Sequence, residues 1–385
     1  MKTFTYIYEN FIPLNNLKKL AETDDILFFD IETTGLSRSK NHIYLIGCGY
    51  YSNNGLNIIQ WFAENEKDEI NVLNEFISFS SSFSYLVNYN GISFDIPFTS
   101  ERMAKYGLCM PSLDSIDIYT FVKPLKKLLS LSDMTQKSIE LFLKIGRKDT
   151  FNGGELINVY HNYVNQKGDL ESQLSSLLLH NLEDVLNMHY ITEILDYEML
   201  LNVIPTYLGF YINDFVDYYG DKKRELILNA RLDSIALSRS VDSFFSDATG
   251  SYIMNIKKDG TLSIRVPLID LSLKHYFENY KDYVYLKNEQ ICVLKSVASY
   301  ARKDNISKAT KEQCFVVNDS TFIPIKGTKS INKTLKDHSI DEKIRVFKSN
   351  YDSKQEYISL NDFEDLSEHL LCTLVSTYYS AFICS

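Results

Sequence analysis

The chain has 385 residues, 45% of them apolar and 23% charged, with 15 glycines and 7 prolines. This length suits two domains, and the composition is that of a soluble globular protein with ample material for a core. The net charge is −10, which argues against a nucleic-acid partner until its distribution is read. Residues 1–200 hold 16 Lys/Arg against 26 Asp/Glu, whereas residues 201–385 hold 24 of each. The excess acidity therefore belongs to the first half, where bound cations would reverse the local sign. Six cysteines without a CxxC pair read as reduced thiols of a cytoplasmic protein rather than a disulfide framework. Met1 to Asn10 carries no apolar signal-peptide core.

Residues 25–31 predict a buried strand, and 42–50 and 56–62 two more, joined at Ser52-Asn53-Asn54-Gly55 by a hairpin turn. The spacing of Ile70, Leu73, Phe76 and Ile77 predicts a helix over 66–79, before a short serine-rich loop, Ser78–Ser84. A strand over 84–89 ends at Asn90-Gly91, and a helix starts near Pro97 and stops at Gly107. One or two helices are expected over 125–145 and a long one over 171–198. The order suits an α/β sheet opened by an antiparallel hairpin.

The texture changes after residue 205. A helix is expected near 222–246, a hairpin around Asp259-Gly260, and strands near 283–294, 313–317 and 321–325. Helices are expected near 296–302 and 360–382. Leu370 to Cys384 is too short and too polar to span a bilayer and reads as a buried helix, so no membrane partner is expected. The expectation is an α/β domain over 1–204 and a smaller α+β domain over 205–385.

Three segments carry chemistry. In Phe28-Phe29-Asp30-Ile31-Glu32, side chains alternate, so Asp30 and Glu32 share one face of a buried strand. Two such carboxylates repel, and a divalent cation with a taste for oxygen, Mg²⁺ or Mn²⁺, would relieve both repulsion and burial. Solvated acids at a strand end are the alternative. Asp95 lies in a strand–loop–helix turn, where a plain helix cap is the alternative. His180 and Asp184 are four apart on one helix face, as a surface pair would also be, while Glu183 points elsewhere.

Together the segments resemble the three motifs of DEDD-type 3′–5′ exonucleases. Asp30 and Glu32 match the first motif, Asp95 the second and Asp184 the third. The run NGISFDIPF at 90–98 is similar to that of family B DNA polymerase proofreading domains. Closer still is the YprB-type RNase H-like family of bacteria. Its pattern extends through Gln60-Trp61-Phe62, Leu113–Tyr119, Pro124–Lys127, Gly153–Leu156 and His180-Asn181, covering about residues 25–195.

The resemblance implies an RNase H-like mixed sheet flanked by helices and a two-metal site held by Asp30, Glu32, Asp95 and Asp184. It implies 3′–5′ hydrolysis of single-stranded DNA or RNA ends. Thr33, Thr34, Gly35 and Leu36 would contact the terminal nucleotide, and Asn90 and Lys127 are further substrate-binding candidates. Lys126 and Lys137 could neutralise phosphates or simply lie on a solvated face. Asp117 reads as a helix cap and Glu155 as an outer group at most. His180 would be the general base. Relatives carry there a Tyr four residues before the last Asp or a His five before it; this chain has a His at the Tyr spacing. A structural or substrate-orienting role is therefore the alternative.

Two other readings remain open: a structure-specific or RNase H-like endonuclease, and a catalytically silent nucleic-acid-binding module. No family is suggested for residues 205–385. Their aromatic residues Tyr276, Phe277, Tyr280, Tyr283 and Tyr285 suit packing or base stacking, and the basic stretch Lys326–Lys348 a loop or linker.

Overall fold

The computed structural model describes residues 1–52, 55–325 and 343–383. The chain folds into two compact units, Met1–Asn202 and Val203–Ser385.

The first unit is built on a six-stranded mixed sheet in the order β1-β4-β3-β2-β5-β6. The strands are β1 (Lys2–Glu9), β2 (Ile26–Thr33), β3 (Ile43–Ser52), β4 (Gly55–Phe62), β5 (Tyr85–Asn88) and β6 (Asp114–Asp117). β1, β4, β3 and β2 pair antiparallel; β2, β5 and β6 pair parallel. β2 is therefore central, and its near-continuous apolar run follows from having both faces covered. Odd residues meet the helix Glu69–Ser80, with the Phe29 and Phe76 rings 4.9 Å apart. Even residues face the long helix Leu170–Ile191: beside Phe28 lies Tyr51, whose hydroxyl is 2.6 Å from His189 Nδ1. Pairing with β3 slips between Glu32 and Thr33, a bulge at the end of the acidic pair.

The helices of this unit are α1 (Asn15–Lys18), α2 (Glu69–Ser80), α3 (Asp95–Lys105), α4 (Ile118–Val122), α5 (Gln136–Leu143), α6 (Gly153–Val164) and α7 (Leu170–Ile191). Several expectations are corrected. α7 ends at Ile191 and continues as 3₁₀ turns to Leu201. Only Gln136–Leu143 is helical in the basic segment after a short 3₁₀ turn at Lys123–Leu125, so Lys126 and Lys127 lie in a turn. The serine-rich stretch is partly helical, with Ser80 buried and bonded to Phe76 O at 2.6 Å. Asn53 and Asn54 of the expected hairpin turn lie outside the described residues.

In the second unit the expected helix over 222–246 is absent. β8 (Lys222–Arg231) and β9 (Val241–Asp247) occupy that stretch instead. β8 pairs with β7 (Thr206–Val216) on one side and β11 (Thr261–Tyr276) on the other, which buries Leu226, Ile227, Leu228 and Ala230 together. The hairpin at Asp259-Gly260 joins β10 (Gly250–Ile256) to β11. The helix expected near 296–302 is a 3₁₀ turn at Val297–Tyr300. β12 (Tyr283–Leu286), β13 (Ile291–Leu294) and β14 (Ile306–Lys308) form a small sheet. β15 (Phe315–Ile325) is one strand where two were expected, and it pairs with β11 and with β16 (Glu356–Ser359). α8 (Leu360–Glu364) and α9 (Glu368–Ile383) replace one C-terminal helix, and α9 buries Leu370, Leu374, Tyr378 and Phe382. Among the described residues no helix is long and apolar enough to cross a membrane.

Of the aromatic residues singled out in this unit, Phe277 stacks on Tyr283 at 5.0 Å, and Tyr276 meets Phe315 and Tyr351. Residues 326–342 of the basic stretch lie outside the described residues. Of the remainder, Lys343 pairs with Glu278 at 3.0 Å and Lys348 with Glu356 at 3.1 Å.

Candidate active site

The acidic residues converge on the even face of β2. Asp30 and Glu32 project from the strand towards α7. Asp95 is the first residue of α3, just after the N-cap residue Phe94. Its Oδ1 accepts from Ile31 N at 3.4 Å, which ties the Asp95 carboxyl to the backbone between Asp30 and Glu32. From α7, Asn181 Nδ2 donates to Asp30 Oδ2 at 2.7 Å, and His180 Nε2 lies 3.6 Å from Glu32 Oε1 and 3.3 Å from Asp184 Oδ2.

α7 reaches this position because β3 carries glycine beneath it. A Cβ on Gly47 would lie 2.1 Å from Asn181 Oδ1, and one on Gly49 would lie 2.9 Å from Val185 Cγ1. Gln60 of β4 donates to Asn181 Oδ1 at 2.7 Å, so a chain of hydrogen bonds crosses from β4 over Gly47 to Asp30.

The loop bearing Asp95 is held from β6. Asp117 caps α4 at Tyr119 N, as expected, and also accepts from Asn90 N at 2.7 Å and Ile92 N at 3.2 Å. Asn90 adopts φ 61°, a left-handed conformation that Asn tolerates. Glu155 belongs to a capping box with Asn152 at the start of α6.

Crowded carboxylates in a buried setting resist ionisation. Burial first, then the charges of Asp184, Asp95 and Glu32, push the Asp30 carboxyl well above its ordinary value. Burial and the charges of Asp184 and Asp95 do the same for Glu32 against an opposing hydrogen bond from the Tyr44 hydroxyl at 3.4 Å. Burial raises Asp95 to about 7. Hard oxygen donors that repel one another suit a divalent cation. Glu32, His180 and Asp184 each offer a ligand atom, all within 4.8 Å of one another.

The loop 146–149 wraps against α7 and was not marked by any motif. Glu183 accepts from Lys148 N at 2.9 Å and Asp149 N at 2.8 Å, which is where that side chain points. Asp149 Oδ2 then sits 2.7 Å from His180 Nδ1. Burial pushes the Asp149 carboxyl up, but the Phe151 amide, His180 and Lys137 outweigh it and hold it below the usual carboxylate range. Arg147 grips Glu140 through two bonds of 2.9 Å, approaches Asp149 at 3.4 Å and pairs with Asp184. These partners come from a loop without hydrophobic periodicity, so residue spacing gave no signal for them.

The substrate-binding candidates are more scattered. Thr33 Oγ1 donates to Gly35 O at 3.0 Å, and Thr34 Oγ1 accepts from His42 N at 3.1 Å; both side chains shape the turn after β2. A Cβ on Gly35 would meet the Asn41 side chain at 2.8 Å. Leu36 is 82% exposed. Lys127 is half-buried with interactions of its own, and Lys137 is bonded to Asp149 at 3.2 Å and to Phe151 O.

Residues 27–196 match the RNase_H_2 model of the RNase H superfamily. The first unit carries an RNase H-like fold. Among solved structures, the chain is similar to NrnC of Brucella melitensis bound to pGG, at 14% identity and a TM-score of 0.31, covering 46% of this chain and 73% of that one. It is similar to the family B DNA polymerase of the archaeon Pyrobaculum calidifontis at 12% identity and a TM-score of 0.36, covering 87% of this chain and 60% of the polymerase. A third likeness is to the zinc-bound E. coli ExoI–ssDNA complex, at 8% identity and a TM-score of 0.27, covering 93% and 74%. No curated protein sequence matches the chain. The match to the RNase H superfamily lies within the first unit, whose sheet carries the acidic cluster.

Proposed function

We propose that the protein is a metal-dependent nuclease that hydrolyses phosphodiester bonds, a 3′–5′ exonuclease on single-stranded DNA or RNA ends. The observation that carries the reading is the convergence of Asp30, Glu32, Asp95 and Asp184 on one face of the central strand of an RNase H-like sheet. Asp30 would be shared between two Mg²⁺ or Mn²⁺ ions, with Glu32 and Asp184 completing one shell and Asp95 serving the other. Such ions, when bound, lower the pKa of the attacking water and stabilise the leaving oxygen.

The chain itself contributes position. Asn181 fixes the rotamer of Asp30, Ile31 N that of Asp95, and Asp117 the loop before it. Thr33 to Leu36 would bind the terminal nucleotide, with exposed Leu36 offering an apolar face to a base, and Asn90 and Lys127 would border the strand. Polarity and single-strand preference rest on the motif resemblance, including its YprB-type form, as does a cytoplasmic, bacterial setting.

The test uses 5′-labelled linear oligonucleotides of DNA and RNA beside a circular single strand. A ladder that shortens from the 3′ end, with the circle spared, supports the exonuclease. Cutting of the circle replaces it with an endonuclease on the same site. Metal-independent binding without cleavage of either substrate would leave only a binding module.

A further inference from the structure

We infer that His180 Nε2 is itself a ligand of the ion held by Glu32 and Asp184, with Asp149 as the residue that positions the ring. The inference rests on the nuclease reading of the carboxylates and goes beyond it, because it adds a nitrogen donor to an all-oxygen site and moves His180 from proton acceptor to ligand.

Metal–ligand bonds to nitrogen and oxygen are roughly 2.0–2.2 Å, so neighbouring ligand atoms around one ion lie about 3.0–3.6 Å apart. His180 Nε2 is 3.3 Å from Asp184 Oδ2 and 3.6 Å from Glu32 Oε1. Both distances fall in the range expected across a shared cation.

An ionised carboxylate only accepts, so Asp149 Oδ2 at 2.7 Å from Nδ1 requires the proton on Nδ1. In the neutral ring the Nε2 lone pair then faces the Glu32 and Asp184 oxygens from the far side, an arrangement that a cation shared by the three would satisfy, as a second ring proton would in the imidazolium. A carboxylate on the distal nitrogen is also the usual partner of a metal-bound histidine, since it fixes the ring and raises its basicity.

His180 is 94% buried, Glu183 pins the Lys148 and Asp149 amides, and Lys137 and Arg147 hold the Asp149 carboxylate from other sides. A ring clamped this firmly suits a ligand. A nitrogen donor also discriminates: Mg²⁺ prefers oxygen ligands and keeps its waters, whereas Mn²⁺ and the later divalent ions accept imidazole more readily.

The experiment is pulsed electron paramagnetic resonance of the full chain loaded with Mn²⁺. Unlabelled protein should show ¹⁴N modulation from one directly bound imidazole, and protein grown on ¹⁵N-histidine should replace it with ¹⁵N coupling. His180→Gln should abolish the coupling and weaken Mn²⁺ binding by at least about 10-fold, and Asp149→Asn should retain it while weakening binding by about 10–100-fold. The wild-type spectrum decides the matter even where a variant fails to fold. Bound Mn²⁺ without nitrogen coupling overturns the inference, and Mn²⁺-dependent cleavage by the same sample would leave the nuclease reading intact. Failure to bind Mn²⁺ overturns both.

Discussion

Asn181 Oδ1 lies 2.1 Å from where a Cβ on Gly47 would stand, so the approach of α7 to the sheet depends on a residue without a side chain. The same amide holds Asp30 through Nδ2 and is held by Gln60 through Oδ1. A methyl group at position 47 would lift α7 and with it His180 and Asp184.

Gly47→Ala is therefore expected to destabilise the protein by about 1–3 kcal/mol, the usual cost of overpacking a dense interior. It should also reduce activity by more than the loss of folded protein explains. Urea denaturation beside a cleavage assay checks both, and a midpoint equal to that of the wild type would refute the packing argument.

Arg102 and Glu69 form a buried ion pair with a 2.7 Å bond from Nε, and Glu69 also accepts from Ile43 N at 2.8 Å at the start of β3. Their side chains are 1% and 0% exposed. Arg102→Ala leaves a carboxylate buried without its counter-charge, so a loss of about 3–5 kcal/mol is expected. An effect below about 1 kcal/mol in the same denaturation series would mean that solvent reaches Glu69 once the arginine is gone.

The raised carboxyls set a pH dependence with a definite sign. Asp95 titrates at about 7 in the folded protein, against about 4 in an unfolded chain, so the folded state holds the extra proton. Its stabilising contribution is complete below the unfolded value and disappears as pH rises through about 7. Without metal, stability should fall between pH 5 and pH 8, and Asp95→Asn should flatten that fall. Mn²⁺ should raise the melting temperature more at pH 8 than at pH 6, because binding then displaces fewer protons. Metal-free stability that rises across this window would contradict the assignment.

Asp30 and Glu32 stand out in the sequence as two acids two residues apart in an apolar strand, whereas Asp95 and Asp184, which alone read as a helix cap and a surface pair, are marked by the resemblance of their segments to the exonuclease motifs. The strands β2, β3, β4 and β5 and the antiparallel hairpin follow from apolar runs and turn residues, and the mixed sheet from the family resemblance. Asp149 and Arg147 were not legible, since they sit in a loop whose position is set by Glu183 rather than by local pattern. α6 and β1 went unassigned for want of a clear period. The helix expected over 222–246 failed for a different reason. Leu226, Ile227 and Leu228 are consecutive and buried between two neighbouring strands, and such a run is compatible with either a helix or a central strand.

The most direct test of the account is cleavage of a labelled single-stranded oligonucleotide by the wild type and by Asp30→Asn, each with Mn²⁺, with Mg²⁺ and with EDTA. The account predicts products only from the wild type and only with a divalent ion, while the variant keeps the wild-type circular dichroism spectrum. Cleavage in EDTA, or undiminished cleavage by folded Asp30→Asn, would contradict it.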